Sequence, residues 1–421
     1  MTGGRLHVAT IFAGFPDPFR SGGPLTHWAI VGALLESGHR VTFISLPWES
    51  EREEGAAAVR SAGADVVLVR QPPSDDGRWR ARRRYLRSIL WPGDETLFST
   101  TVGPEELAPV VAGLGPDVVL AHGTPAVASA AALDVPKLAL VGDPPGVSRR
   151  LRTRWDPQYP WRLGRDELLY RLGSATFALR ADRRFLRVLR RFDSVGIFGA
   201  NNADSARRRR VPAWYASSPV VDSAGPEWRS RRAAFGPNAK PRLLLIGHLR
   251  GVSTIGGLHV FVEHVLPGLT DRLGPQGFEA HIVGAYDPPG SLAAALRHPA
   301  VVLRGQVQPP DEEFLRADVL MVPSPLEWGE RTRVVAGFSF GCCVVAHISS
   351  RLGMPALEHG VNALLADSAD LAEETLRALG DTALRGRLGE AGRRLYEAQF
   401  TPERAGGRIV AELERIAAAQ D

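Results

Sequence analysis

The chain of 421 residues is longer than a single hydrophobic core normally organises, so at least two domains are expected. Its hydrophobic fraction of 44% and charged fraction of 23% exclude a wholly disordered protein. The net charge of +5 at pH 7 combines 51 basic with 46 acidic residues, and every basic residue except Lys137 and Lys240 is an arginine. This bias is typical of GC-rich coding sequences. Guanidinium groups also bind phosphate well, so the positions of individual arginines matter.

Short apolar runs alternate with helical patterns through the first half of the chain. The first run, residues 6–12, is followed by the Gly22-Gly23 turn and a helix over residues 28–35. Further runs that predict buried strands lie at 41–44, 65–69, 117–120, 136–141 and 193–198. This alternation predicts a parallel sheet covered by helices on both faces.

Residues 149–210 form a strongly basic segment, with 17 basic and 6 acidic side chains. Within it, apolar residues recur at helical spacing between arginines: Phe185, Leu186, Leu189 and Phe192. The pattern favours a helix whose apolar face packs on its own domain, although a peripheral helix on a membrane surface has the same pattern. Nucleic-acid binding is not predicted, because the segment matches no nucleic-acid module and lacks an interleaved aromatic platform.

The second half begins with a polar stretch rich in Pro, Gly and Arg and then repeats the α/β pattern. Apolar runs predict strands at 242–246, 279–284, 301–303, 319–322 and 343–346, and helical patterns cover 257–269, 369–379, 383–397 and 402–418. Thr401 and Pro402 are residue types that begin helices. We therefore expect a first domain over residues 1–222, a linker over 223–240, a second domain over 241–400 and a terminal helix, 401–421, that returns toward the first domain.

Two doubly wound α/β domains joined by one linker leave a deep cleft between them. Ligands of such sheets bind outside the carboxyl ends of the strands, so we expect them in this cleft. The two cysteines, Cys342 and Cys343, are adjacent in an apolar run, which excludes a disulfide framework and indicates a reducing compartment. No secretory signal or membrane-spanning pattern is recognisable, so a cytoplasmic protein is expected. The sequence leaves the oligomeric state open, a homodimer included.

Short motifs in the second half occur in the order and spacing of a known family. They are Ile246-Gly247-His248-Leu249, Ile282-Val283-Gly284, Arg304-Gly305-Gln306-Val307, Val322-Pro323-Ser324 and Gly360-Val361-Asn362. The first half agrees more loosely, at Gly22-Gly23, Gly38-His39 and Ala121-His122. The chain therefore resembles the retaining glycosyltransferase family four (glycosyl transferases group 1), whose GT-B fold consists of two Rossmann-like domains.

This resemblance implies a glycosyltransferase that moves a sugar from a nucleoside diphosphate, UDP or GDP, to a small-molecule acceptor. It implies retention of configuration and no metal ion, and the sequence has no Asp-x-Asp motif. The first domain would bind the acceptor and the second the donor. An actinobacterial style of composition also associates the chain with specialised-metabolite biosynthesis.

The leaving diphosphate gains negative charge as the sugar departs, so N–H groups and cations aimed at it lower the barrier. Gly22-Gly23 precedes a helix N-terminus, which suits an anion. By the resemblance, His122 lies beside the transferred sugar and Gln306-Val307 contacts the base through the main chain. The implied catalytic residues are His122, Glu327, Arg331 and Arg333, and Asp143 is an acceptor-side candidate. Donor binding is implied for Gly22, Gly23, Gly247, His248, Arg250, Thr254, Gln306, Val307, Gly329, Glu330 and Thr332.

The chain departs from the family pattern at two places. Family members pair two glutamates that are separated by seven intervening residues; Glu327 or Glu330 matches the first, but Ala336 stands at the second. The usual Arg/Lys pair for the diphosphate is replaced by His248 and the Ser253-Thr254 region, which leaves Arg250, Arg331 and Arg333 as substitutes. Two alternatives therefore stay open: a GT-B protein of other chemistry, such as a nucleotide-sugar 2-epimerase, and a catalytically silent relative.

Overall fold

The computed structural model of the chain describes residues 4–17, 22–46, 52–69, 102–147, 150, 155 and 180–419. Contacts divide the chain into two compact units. The first comprises residues 1–154, 158–219 and 405–421, and the second comprises 155–157 and 220–404. Each unit contains a parallel sheet of its own.

Within the described residues, the sheet of the first unit has seven parallel strands in the order β3-β2-β1-β4-β5-β6-β7. They are β1 (His7–Phe12), β2 (Arg40–Ser45), β3 (Asp65–Leu68), β4 (Val118–His122), β5 (Lys137–Val141), β6 (Ser194–Ile197) and β7 (Ala213–Tyr215). Successive residues point to opposite faces, and Val119 and Leu120 belong to two different apolar clusters. Both faces are therefore buried, which explains the continuous apolar runs of the sequence.

Helices cover the first sheet. Those described before the second unit are α1 (Gly23–Glu36), α2 (Arg52–Ser61), α3 (Pro104–Leu114), α4 (Thr124–Ala130) and α5 (Ala200–Arg207). A further helix occupies residues 180–189 of the basic segment. Its predicted apolar face is buried in the core of the first unit, through Phe185, Leu189 and Phe192. This part of the segment thus packs on its own domain, whereas residues 149, 151–154 and 156–179 lie outside the described residues.

The second sheet has six parallel strands in the part of the chain that the structure describes, in the order β10-β9-β8-β11-β12-β13. They are β8 (Arg242–Ile246), β9 (Glu279–Val283), β10 (Val301–Gly305), β11 (Val319–Val322), β12 (Val344–His347) and β13 (Leu364–Ala366). Its helices are α6 (Trp228–Ala233), α7 (Val252–Val260), α8 (Leu266–Leu273), α9 (Gly290–Ala293), α10 (Asp311–Arg316), α11 (Thr332–Ser339), α12 (Ser350–Gly353), α13 (Leu371–Gly380) and α14 (Thr382–Gln399).

The structure extends one helix that the sequence outlined and confirms the bounds of the last helix, residues 402–418. The helix expected over residues 257–269 starts at Val252 and ends at Leu273, because a π-helical turn, Phe261–Val265, joins α7 to α8. The last helix begins with a π-helical turn, Pro402–Gly406, and continues as α15 (Gly407–Ala418). The N–H of Arg404 donates to Thr401 Oγ1 over 3.3 Å. The apolar face of α15 packs into the core of the first unit. Across the described residues, no helix is both long and apolar enough to cross a membrane.

The stretch 223–240 packs on the second unit. Trp228, at the start of α6, is buried, and its ring packs so closely on Gly341 that a Cβ there would overlap it. Arg232 donates to the carbonyl oxygen of Phe314 over 3.1 Å. This polar sequence therefore contributes to the core of the second unit.

Each sheet has a point at which its strand order reverses, between β1 and β4 in the first unit and between β8 and β11 in the second. Crossover helices leave such a point to opposite faces of the sheet, which opens a crevice at the carboxyl ends of the two strands. The structure confirms two doubly wound α/β domains, and each offers one such position.

Candidate active site

His122 is the last residue of β4, at the switch point of the first sheet. The register between β1 and β4 places it opposite Phe12, and their ring centroids lie 5.2 Å apart. Gly123 follows, and α4 begins at Thr124. His122 therefore lies where doubly wound sheets bind their ligands.

A second histidine, His27 of α1, contacts His122. Their Nδ1 atoms are 2.9 Å apart, and the ring of His27 stacks on Phe12 with centroids 4.8 Å apart. His27 is 0% exposed and His122 is 5% exposed. Burial lowers the pKa of His122 to about 4, and burial together with the neighbouring imidazole lowers the pKa of His27 well below 6.5. Both rings are therefore neutral at neutral pH.

The Gly22-Gly23 turn begins α1 next to the same aromatic ring. Gly22 has a φ of 77°, a conformation that glycine adopts without strain, and a Cβ on Gly23 would lie 3.5 Å from Phe12 Cζ. The first turn of α1, residues 23–26, contains no charged side chain, and a helix N-terminus favours an anion. The structure thus brings the predicted turn and His122 to the same ring, that of Phe12.

Asp143 lies two residues beyond the end of β5, and its side chain is partly buried. Because β4 and β5 are parallel neighbours, Asp143 and His122 lie at the same edge of the first sheet. This position suits the acceptor-side role that the sequence suggests.

Gly247 follows β8 at the switch point of the second sheet. A Cβ at this position would lie 2.7 Å from Thr254 Oγ1 and 3.2 Å from Arg333 Cζ, so glycine is required for this approach. Arg333 Nη2 donates to Thr254 Oγ1 over 3.1 Å. Three predicted donor-site residues, from the end of β8, from α7 and from α11, therefore meet at one point.

Arg333 carries a charge for which the described residues supply no carboxylate in an ion pair. Burial and the neighbouring charge of Arg331 lower the pKa of its guanidinium to about 10, so it remains protonated at neutral pH. Among the described residues, no carboxylate forms an ion pair with it. Arg333 also lies in the first turn of α11, where the helix dipole favours an anion. The group is therefore suited to a phosphate ligand.

Arg331 has a different environment, although the sequence grouped it with Arg333. It is 4% exposed, and its Nη1 donates to the carbonyl oxygens of Trp328, over 2.6 Å, and Gly329, over 3.4 Å. Its Nη2 donates to the carbonyl oxygen of Leu326. These bonds fold the chain before α11 back on itself, so the guanidinium orders this loop from within.

The loop of residues 326–331 also carries the two candidate glutamates. Glu327 is exposed and Glu330 is partly buried. Thr332 starts α11, and Ala336 lies four residues later on the same helix. Among the described residues, no group of three or more His, Cys, Asp or Glu side chains has the arrangement of a metal site.

His248 and Arg250 share a partner that the sequence did not indicate. The ring centroids of His248 and Tyr286 are 4.8 Å apart, and Arg250 Cζ lies 5.4 Å from the centroid of the tyrosine ring. Tyr286 is 60% exposed and has a φ of 71°, which is strained for a bulky side chain. It follows β9 by three residues, so the group lies at the carboxyl ends of β8 and β9.

Gln306 and Val307 continue from β10, the strand next to β9. Gln306 is exposed and Val307 is partly buried. The N–H of Gly284 donates to the carbonyl oxygen of Gly305 over 2.8 Å, which ties the ends of β9 and β10 together. The candidate residues that follow β8, β9 and β10 are therefore neighbours along this edge of the sheet.

Comparison with known protein families gives a match within the second unit. Residues 240–381 match the family model described as glycosyl transferases group 1. No curated protein matches the chain in sequence.

Solved structures share the fold along nearly the whole chain. HepE from Anabaena in complex with UDP-glucose has a TM-score of 0.65 and 13% identity, over 98% of this chain and 100% of that one. A variant of S. aureus TarM in complex with fondaparinux, α-GlcNAc-glycerol and UDP gives 0.68 and 8%, over 97% and 99%. WaaG, a glycosyltransferase involved in lipopolysaccharide biosynthesis, gives 0.63 and 14%, over 96% and 99%. The chain therefore has the GT-B fold.

Proposed function

We propose that this chain, a glycosyltransferase whose second unit belongs to glycosyl transferases group 1, moves a hexose from a UDP-sugar to a hydroxyl group of a small-molecule acceptor. The second unit would bind the donor, and the first would bind the acceptor and contribute His122. Transfer would proceed with retention of configuration and without a metal ion.

The observation that carries this proposal is the position of Arg333 against Gly247 and Thr254. A protonated guanidinium at the switch point of a doubly wound sheet, with no ion pair to a carboxylate of the described residues, suits the diphosphate of a nucleotide sugar. The first turn of α7, residues 252–255, is uncharged and follows the same strand, so its helix dipole also favours an anion. Arg250 follows the same strand, β8, and lies against Tyr286 at the end of β9, so it supplies a second cation at this edge of the sheet.

UDP is proposed as the nucleotide because HepE and TarM, which share the fold, have been solved with UDP or UDP-glucose. The loop Gln306-Val307 would contact the base through its main chain. The exposed ring of Tyr286, on the adjacent strand end, offers a surface on which a base can stack.

In the proposed reaction, the bond between the anomeric carbon and the β-phosphate oxygen breaks, and its electron pair leaves with UDP. The acceptor oxygen forms the new bond on the same face of the sugar, and its proton passes to the departing phosphate oxygen. Charge builds up on the diphosphate during this step, so Arg333 would lower the barrier by electrostatic stabilisation. No protein nucleophile is required.

Arg331 has a structural role in the proposed donor site, because it orders the loop that carries Glu327 and Glu330. Because Arg331 is bonded to carbonyl groups of its own loop, we assign it the ordering of residues 326–331, which carry Glu327 and Glu330 beside the donor site. Ala336 supplies no ribose contact of the kind that a second glutamate would make. This departure favours weak ribose binding or, as the competing function, a nucleotide-binding protein without transferase activity.

Nucleotide binding and turnover test the proposal separately. Thermal stabilisation should be greatest with UDP when UDP, GDP, TDP and ADP are compared. If none of the four nucleotides stabilises the protein, the proposed donor site is contradicted. Incubation with UDP-glucose and a panel of small alcohols, phenols and amines should release UDP, with ¹H NMR of the product showing an α-linked sugar. The same turnover in EDTA would support metal independence. Binding without turnover would favour the silent relative.

A further inference from the structure

The two buried histidines of the first unit share one proton between their facing nitrogens. At 2.9 Å, the Nδ1 atoms of His27 and His122 can form a hydrogen bond only if one carries the proton and the other accepts it. Each neutral imidazole has one N–H, so the direction of this bond fixes the tautomer of both rings. The Nε2 atom of His122 is then either an N–H donor or a bare acceptor.

The surroundings of His27 decide between the two arrangements. Its Nε2 atom is buried and has no hydrogen-bond partner in the described part of the chain. The neighbouring rings are those of Phe12 and Phe43, at centroid distances of 4.8 and 5.6 Å. A buried N–H without an acceptor is rare in proteins and costs the full desolvation of the donor. The favourable state of His27 therefore leaves Nε2 bare and carries the proton on Nδ1.

We propose that His27 is a positioning residue that donates its Nδ1–H to His122, holding His122 as a neutral imidazole with its own proton on Nε2. His122 then presents a hydrogen-bond donor at the carboxyl end of β4. It has no basic nitrogen left, because its Nδ1 lone pair accepts from His27.

This assignment deepens the proposed function and rests on it where the role of His122 is concerned. A neutral N–H donor suits an oxygen atom of the transferred sugar, which UDP itself lacks, such as a hydroxyl group. General-base removal of the acceptor proton by His122 is excluded, which leaves that proton to the departing phosphate. The aromatic contacts with Phe12 and Phe198 keep the ring of His122 from turning.

The tautomers are measurable without any activity. In protein labelled with ¹⁵N-histidine, long-range ¹H–¹⁵N correlations at pH 7 distinguish a ring protonated on Nδ1 from one protonated on Nε2. Signals are assigned with the variants His27→Asn and His122→Asn. We expect His27 as the Nδ1–H tautomer and His122 as the Nε2–H tautomer. The reverse pair, or a charged ring, would overturn the proposal whether or not the protein transfers sugar.

Kinetics with a matched pair of variants tests the positioning role. His27→Phe keeps a ring to stack on Phe12 but removes the donor, and kcat should fall about 10- to 100-fold while UDP affinity stays unchanged. In His27→Asn the amide nitrogen occupies the place of Nδ1 and can donate to His122, so most of the lost kcat should return. An asparagine variant as slow as the phenylalanine variant, or a phenylalanine variant with wild-type kcat, would contradict the role. If His27→Phe does not fold, the tautomers of the wild-type protein decide the question.

Discussion

Arg333 Nη2 donates to Thr254 Oγ1 over 3.1 Å and thereby joins the first turns of α11 and α7 at the switch point of the second sheet. The two helices follow β11 and β8, the strands on either side of that point. A cation in this position reaches any anion bound at either helix N-terminus. The hydrogen bond also fixes the guanidinium before a ligand arrives, so less conformational entropy is lost on binding.

Replacing Arg333 with alanine should weaken UDP binding about 10- to 100-fold. Hydrogen bonds to charged groups contribute about 1.5–3 kcal/mol, and the guanidinium of Arg333 lies beside Gly247 at the end of β8. Isothermal titration calorimetry with UDP measures the change. Arg387→Ala, an exposed arginine on α14, is the matched control and should leave the affinity unchanged. Equal affinities of Arg333→Ala and the wild type would remove Arg333 from the donor site.

Gly247→Ala should impair the same site without removing any charge. The added Cβ would lie 2.7 Å from Thr254 Oγ1 and 3.2 Å from the guanidinium carbon of Arg333, and the φ of 154° at this position is unfavourable for alanine. We expect the hydrogen bond between Arg333 and Thr254 to break and UDP affinity to fall about tenfold or more. Gly386→Ala is the control, because a Cβ on this exposed helical glycine meets no atom within 4 Å. The prediction fails if both variants bind UDP as the wild type does.

Tyr286 allows backbone strain to be separated from ring contacts. Tyr286→Gly and Tyr286→Ala both remove the ring, but only glycine adopts a φ of 71° without strain. The free energy of unfolding of the glycine variant should therefore be about 1 kcal/mol larger than that of the alanine variant. Both should lose about 1–3 kcal/mol of UDP binding if the ring stacks on the base. Urea unfolding gives the first quantity and calorimetry the second. Tyr286→Phe keeps the ring and should bind normally; unchanged binding by all three variants would exclude the stacking role.

The sequence predicts the fold well because long apolar runs and their order determine a doubly wound sheet. The two strands that it does not outline, β7 (Ala213–Tyr215) and β13 (Leu364–Ala366), have three residues each, too few to show a period. The π-helical turns are likewise invisible to a 3.6-residue pattern. The basic helix over residues 180–189 is correctly expected to pack on its own domain, because its apolar spacing is that of a core helix.

Only those residues of the candidate site that lie in a recognisable sequence motif could be predicted. Arg331 and Arg333 are two residues apart and look equivalent in sequence, yet one bonds carbonyl groups of its own loop and the other lies beside Gly247. That distinction depends on the path of the loop, which periodicity does not encode. His27 lies within an apolar helix, and its contact with His122 spans 95 residues of chain. Tyr286 occupies a conformation that favours glycine, so its residue type gave no signal of a turn.

The histidine pair predicts how the stability of the first unit depends on pH. The pKa of His122 is lowered to about 4 in the folded state, from 6.5 when exposed, and that of His27 is also lowered. Between these values the unfolded chain binds protons that the folded chain does not, so the free energy of unfolding falls as the pH drops below 6.5. At about 1.4 kcal/mol per pH unit, His122 alone accounts for about 2 kcal/mol between pH 6.5 and 5. Urea unfolding at pH 7 and pH 5 measures the loss. Protonation of carboxylates also changes the free energy of unfolding between pH 7 and pH 5. The double variant His27→Asn, His122→Asn therefore serves as the reference, and it should lose less stability over this pH range than the wild type. His264→Asn, at an exposed histidine of the second unit, should behave like the wild type. If the wild type and the double variant lose the same stability, the two imidazoles are not held neutral by burial.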